Sequence, residues 1–172
     1  MPRFLFSSVV ALGFLSACVT PDQSDLPSSP AAQAAWVRAG NMRAVLREDQ
    51  REISRPLAAV SADVQEYFRR CIDGQTTQVV ATPRGFPAGG PASRVVDETL
   101  YRMTVSKQGG VTYVSGIRQR VGRSMFEPLV ELVPDASGTR MSVIRAVTNG
   151  PTAENLFRTA NGERMGCARL AM

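Results

Sequence analysis

The chain contains three cysteines and no histidine, and those two facts bound its chemistry. Without an imidazole, Ser-His and Cys-His nucleophile pairs and the usual zinc or copper sites are excluded. Lys107 is the single lysine. To serve as the base for a serine it would have to be desolvated, and it sits instead in a predicted turn beside Gly109 and Gly110. Asp97 and Glu98 are the obvious carboxylate pair, yet neighbours on a strand face opposite ways and cannot share a site. Glu127 and Glu131 fall on one face of a regular strand, the placement a small acid-dependent hydrolase would use, or one of solvated edge charges.

Three other features suit binding. The segment from Thr82 to Arg94 holds Gly85, Phe86, Pro87, Gly89, Gly90 and Pro91. It lacks the Gly-Lys-Ser/Thr ending of a phosphate loop, and its prolines remove backbone donors that a phosphate cradle needs. With an apolar Phe86 among flexible residues it reads as a binding loop or as a disordered connector. Arg102, Arg118 and Arg120 form a second candidate. If Tyr101 and Ile117 face the core, all three arginines share the opposite face of one hairpin, facing an anionic polymer or lipid, or solvent with Glu98 as partner. Trp36, the single tryptophan, is the third, as an anchor for docking on the domain or on a partner.

The N-terminus gives an address. Arg3 is followed by an apolar run from Phe4 to Phe14 and by Leu15-Ser16-Ala17-Cys18. A positive start, a short apolar stretch and small residues before a cut are the parts of an export signal, and the run is too short to span a bilayer as a helix. Leu15-Ser16-Ala17-Cys18 resembles the lipobox of bacterial lipoproteins. That resemblance implies cleavage before Cys18, a diacylglyceryl thioether on its sulfur and an acylated (palmitate-type) amine. Because Val19 follows rather than Asp, it also implies the periplasmic face of the outer membrane in enteric-type bacteria, with the inner membrane as the other destination. Each buried methylene contributes ~0.8 kcal/mol and two chains anchor stably, so three acyl chains would hold the protein on the membrane.

An exported address makes a disulfide between Cys71 and Cys167 the leading reading. In the chain-entropy model a loop of that length is worth up to roughly 4 to 5 kcal/mol. Loss of residues 1–17 takes Arg3 and no acid, so the net charge falls from +5 to +4. Nucleic acid is an unsuited partner, because the basic residues are spread along the chain with few aromatics between them.

The elements that must position these residues follow from periodicity. Residues 18–30, with three prolines and no apolar period, form a lipidated tether whose twelve residues after Cys18 reach up to ~40 Å. Residues 31–53 are a helical or irregular lead-in, in which Val45 and Leu46 run into a charged stretch. From Ser54 the residues Leu57, Val60, Val64, Tyr67, Phe68 and Cys71 recur at steps of three or four, so one long amphipathic helix is predicted, ending at Asp73-Gly74 with Cys71 facing inward. The period then becomes two. Strands are predicted at Thr77 to Ala81, Thr99 to Val105, Val111 to Val121, Leu129 to Val133 and Met141 to Val147, then a short helix from Gly150 to Asn161 and a closing strand from Glu163 carrying Cys167.

The sequence therefore predicts an α+β domain over 54–172, with one long helix packed on an antiparallel sheet of about five or six strands and a short second helix before the last strand. No cofactor motif is present. The function expected is that of a non-catalytic, lipid-anchored periplasmic protein, a binding or accessory subunit that meets another envelope protein or an anionic envelope component. A carrier of a small apolar ligand or lipid and a small acid-dependent hydrolase are the alternatives.

Overall fold

A computed structural model describes residues 27–42, 44–81, 94–120 and 123–170, with side chains at all of these except 77–81, 94–99, 119–120 and 123–124. The elements are α1 (Pro30–Arg38), β1 (Leu46–Ile53), α2 (Leu57–Cys71), β2 (Thr76–Ala81), β3 (Arg94–Gln108), β4 (Val111–Arg120), β5 (Arg123–Asp135), β6 (Gly138–Ala146) and α3 (Gly150–Ala160). They build an α+β fold on one antiparallel sheet ordered β1-β6-β5-β4-β3-β2. The last five strands are a meander. β1 joins its far edge against β6, from Leu46 opposite Ala146 to Ile53 opposite Thr139. The chain leaves β1 at one edge and enters β2 at the other, so the connecting helix α2 must cross the sheet face.

α2 runs for 15 residues, shorter than the long helix expected from Ser54, and Pro56 stands at its N-cap. Proline there costs no helical hydrogen bond. Val60, Val64, Tyr67, Phe68 and Cys71 are all buried against Tyr101, Val114, Val130, Leu132, Met141 and Val143 of the sheet and Leu156 and Phe157 of α3. The register makes this face continuous, since Val114 lies opposite Val130 and Val130 opposite Val143. Burying each of these aliphatic side chains contributes about 1.5 to 3 kcal/mol.

The sheet is covered on its other face too. Leu129 and Ile144, opposite each other, pack with Tyr113, Leu46, and Ala34 and Val37 of α1. The carboxamide of the buried Gln33 docks α1 on β5: Nε2 donates to the Phe126 carbonyl at 2.5 Å, and Oε1 accepts from the Phe126 N–H at 2.9 Å. Arg38 adds ion pairs to Glu48 of β1 and to the buried Glu131 of β5. Trp36 packs half-buried on the same cluster, so in this fold the single tryptophan is a docking residue of the domain itself. Helices thus cover both faces, where the sequence placed the long helix on one.

Two segments depart from expectation. Leu46–Ile53, within the predicted lead-in, is an edge strand; only its two ends are buried, and its charged middle hides the alternation that a strand search relies on. The predicted closing strand from Glu163 is irregular through Leu170. Both sheet edges are already taken by β1 and β2, and this segment lies instead over the helices, tied by the Cys71–Cys167 disulfide with Cα atoms 5.0 Å apart. No helix among the described residues is long and apolar enough to cross a membrane.

Gln33→Ala should test the docking of α1. The Phe126 amide loses both partners, so stability should fall by about 1 to 3 kcal/mol. Trp36 fluorescence should become more accessible to a soluble quencher before global unfolding. Unchanged quenching would show that α1 is held without Gln33.

Candidate functional site

The site lies where β4, β5, β6 and the start of α3 meet. Glu127 of β5 is about 1% exposed. Its Oε1 accepts from the Ala146 N–H at 3.0 Å and from Asn149 Nδ2 at 2.9 Å, and its Oε2 from Arg118 Nη1 at 3.1 Å. Donors from β4, the end of β6 and the N-cap of α3 therefore converge on one carboxylate. A buried charge is tolerated under that condition. With both oxygens engaged, Glu127 would have to break a hydrogen bond before it moved a proton, so the arrangement suits holding shape rather than acid–base work.

This pair floors a cleft of about 250 Å³ whose walls are Met42, Val45, Leu46, Met125 and Ala146. Val45 and Val147 are 44% and 42% exposed, and the Val147 N–H donates to the Val45 carbonyl at 3.0 Å, so two of the exposed large aliphatic residues sit together at this end of the sheet. Met42 has φ +58°, the left-handed region that a residue with a Cβ enters at a cost. Its carbonyl accepts from both Val45 and Leu46 at 2.8 Å, which holds the wall in that conformation.

Tyr101 stands behind the pair. It is opposite Arg118 in the β3–β4 register and fully buried, and its hydroxyl has no hydrogen-bond partner among the described residues. Burial first, and then the charge of Glu127, push the phenol up to about 12, with Arg118 opposing. On the other face, burial and then Glu131 also raise Tyr113.

The arginine constellation does not assemble. Arg118 lies opposite Tyr101, whereas Arg102 lies opposite Ile117, and cross-strand partners share a face. Arg102 and Arg118 therefore project from opposite faces. The shared face required Tyr101 and Ile117 to lie on one side, but the hairpin turn at Gly109-Gly110 pairs Gln108 with Val111 and so sets Tyr101 opposite Arg118, which turns inward to Glu127. Arg102 is exposed, and Arg120 is placed by its pairing with Arg123. Glu127 and Glu131 do not converge either, one bound by Arg118 and Asn149 and the other by Arg38. Lys107 is exposed beside its turn, and Asp97 lies opposite Val79 at the β2–β3 edge. Cys18, Phe86 and the segment 82–93 lie outside the described residues.

The sequence missed the cleft. Met42, Met125 and Asn149 carry no motif, and the one available signal is Glu127 inside an otherwise apolar run, a pattern that solvated edge charges share. Among the described residues no group of three metal-ligating side chains comes together. Comparison with protein-family models, curated proteins and solved structures finds no match, so the functional reading rests on the residues themselves.

Two measurements test this description. Arg118→Gln should destabilise the protein by about 3 to 5 kcal/mol in urea unfolding, because it leaves Glu127 buried without its counter-charge, while Arg102→Gln should change stability by no more than about 0.5 kcal/mol. Equal effects would refute the assignment. For Tyr101, the folded phenol ionises near 12 and the unfolded one near its ordinary 10. The stability held by the protonated phenol is thus complete below pH 10 and is lost as pH rises toward 12, by roughly 2 to 3 kcal/mol. Tyr101→Phe should flatten that alkaline slope and leave stability at pH 7 unchanged or slightly higher, since an unpartnered buried hydroxyl is removed.

Proposed function

We propose that the protein is a lipid-anchored envelope protein, held on the periplasmic face of a membrane through Cys18, that works as a binding or accessory subunit. The observation that carries the binding reading is the cleft: apolar walls, an exposed aliphatic rim and a floor whose polar groups are already paired with one another. A surface of this kind gains by covering apolar area and asks no polar group to exchange partners. Interface cores are composed in that way, with Met and aliphatic side chains around a fixed arginine. The expected partner is another envelope protein or an anionic envelope component.

At this cleft, size does not favour the carrier alternative. Pockets that enclose a drug-sized ligand run from about 300 to 1,000 Å³, and a cleft of about 250 Å³ is smaller than that range. It accommodates a side chain or the end of a chain, with the remainder of the partner outside. The hydrolase alternative needs two facing carboxyl groups, and Glu127 and Glu131 are held apart by their own donors.

Two outcomes are expected in cells. Cys18→Ala should accumulate as unprocessed precursor without acyl label, and normal processing of that variant would sink the anchoring. A photo-crosslinking residue at Val147 should capture one discrete partner, and Ala146→Phe, which fills the cleft, should reduce that capture at least tenfold. If capture is the same with the cleft filled, the contact lies elsewhere on the domain.

A further inference from the structure

The two cysteines of the disulfide are unequal. Cys71 ends α2, faces the core and is about 1% exposed, whereas Cys167 is exposed on the irregular segment 163–170. That segment has few other ties. Among the described residues, no backbone N–H from 164 to 170 donates to a backbone carbonyl. Arg70 Nη2 donates to the Met165 carbonyl at 2.6 Å and Asn155 Nδ2 to the Gly166 carbonyl at 3.0 Å, and Leu170 inserts into the core at 8% exposure. Most of the sheet and α2–α3 packing comes from other residues, Val60, Val64, Phe68, Leu156 and Phe157 among them, with Met165 and Leu170 of this segment packed on the same cluster.

Next to it runs a groove of about 230 Å³ between α2 and α3, lined in part by Tyr67, Arg70, Thr159, Glu163 and Arg164. The segment supplies Glu163 and Arg164 as one wall. The Thr159 hydroxyl is buried and has no hydrogen-bond partner among the described residues.

We infer that 163–170 is a redox latch over the α2–α3 groove, released by thiol–disulfide exchange that enters at Cys167. The reductant is a protein dithiol. Its first thiolate attacks Cys167 Sγ, the exposed sulfur; a bond forms between them and the Cys71–Cys167 bond breaks, leaving Cys71 as a thiolate that takes a proton. The second thiol, deprotonated, attacks its own partner sulfur in the mixed disulfide and expels Cys167 as a thiolate, which is protonated in turn. The protein disulfide is reduced to two thiols, and the dithiol is oxidised to a disulfide. With the covalent tie gone, the chain beyond Glu163 is held by two side-chain hydrogen bonds and by Met165 and Leu170 on the core, the kind of element that opens locally while the rest of a domain stays folded. The groove then loses the part of its wall formed by Arg164, while Glu163 stays tied to Arg158. This goes beyond the binding reading and is independent of Cys18.

The test uses the full wild-type chain, oxidised and then incubated with a reduced thioredoxin-type dithiol protein. Two readouts are taken. Trypsin cleavage after Arg164 and Arg169 should accelerate at least tenfold on reduction, while cleavage within β4 to β6 and the circular dichroism of the sheet stay unchanged. In a timed alkylation pulse, Cys167 should be labelled at least ten times faster than Cys71, and the trapped mixed disulfide should map to Cys167. Unchanged cleavage at both arginines would show that the segment is held without the disulfide. Simultaneous cutting throughout the sheet would show a global staple instead. Equal labelling, or a mixed disulfide at Cys71, would overturn the entry point.

Discussion

Removing a carboxylate from water is among the costlier things a small domain does, and the end of this sheet is organised around having done so at Glu127. Its three donors come from separate elements: Arg118 on β4, the Ala146 N–H at the end of β6, and Asn149 at the start of α3. None can shift without stranding the charge, so they fix together where β4 lies on β5 and where the chain turns from β6 into α3. Gly116 shows how close the fit is. A Cβ there would lie 2.9 Å from the Glu127 carbonyl oxygen and 3.0 Å from the Ile72 side chain, which leaves glycine as the residue that lets β4 pass. Two residues on, Arg118 lies opposite Tyr101 in an unbroken β3–β4 register, and the extra residue of the β4–β5 register shift falls on β5, beside Glu127.

The same economy appears on the opposite face. Glu131 is buried because Arg38 of α1 reaches it, and the Phe126 backbone is satisfied by Gln33 of the same helix. A nine-residue helix is too short to be stable alone in water. α1 persists because it brings polar groups to places where the sheet needs them and covers Leu129 and Ile144 at the same time. The walls of the cleft follow from this: the chain leaving α1 turns at Met42, and Leu46 begins the strand that closes the sheet beside β6.

What could be read from the sequence divides along a physical line. α2, the β3–β4 hairpin at Gly109-Gly110, α3 and the inward position of Cys71 were legible because each rests on local periodicity or a turn residue, and the fold realises them. β1 was not. An edge strand needs few apolar residues, and its charges serve to keep other strands away, so the run from Arg47 to Glu52 carries no strand signal. The arginine face failed for another reason: period-two reasoning orders residues within one strand, but the hairpin register decides which face of β3 goes with which face of β4, and pairing Gln108 with Val111 puts Tyr101 and Ile117 on opposite faces. The segment after Glu163 was read as a strand because it carried a cysteine expected to reach the helix, yet a disulfide needs only proximity, and a loop crossing the helices provides it.

Docking of α1 also changes what the tether does. A free lead-in would let the domain tumble at the end of a long leash. Here the helix is fixed to β5 through Gln33 and Arg38, so an anchor at Cys18 would act on a defined point of the domain. At 1.5 Å per residue α1 is about 13 Å long, and the turn that follows it leads directly to Met42 and Val45 at the cleft. On the proposed anchoring at Cys18, the cleft would sit one short helix beyond Pro30, and the twelve residues after Cys18, at most ~40 Å long, would set the range of heights at which it can meet an envelope partner. A partner that projects from the same membrane would be met within that range. One confined to a more distant layer would not, so on the proposed anchoring the length of chain between Cys18 and Pro30 would limit which partners the cleft can meet.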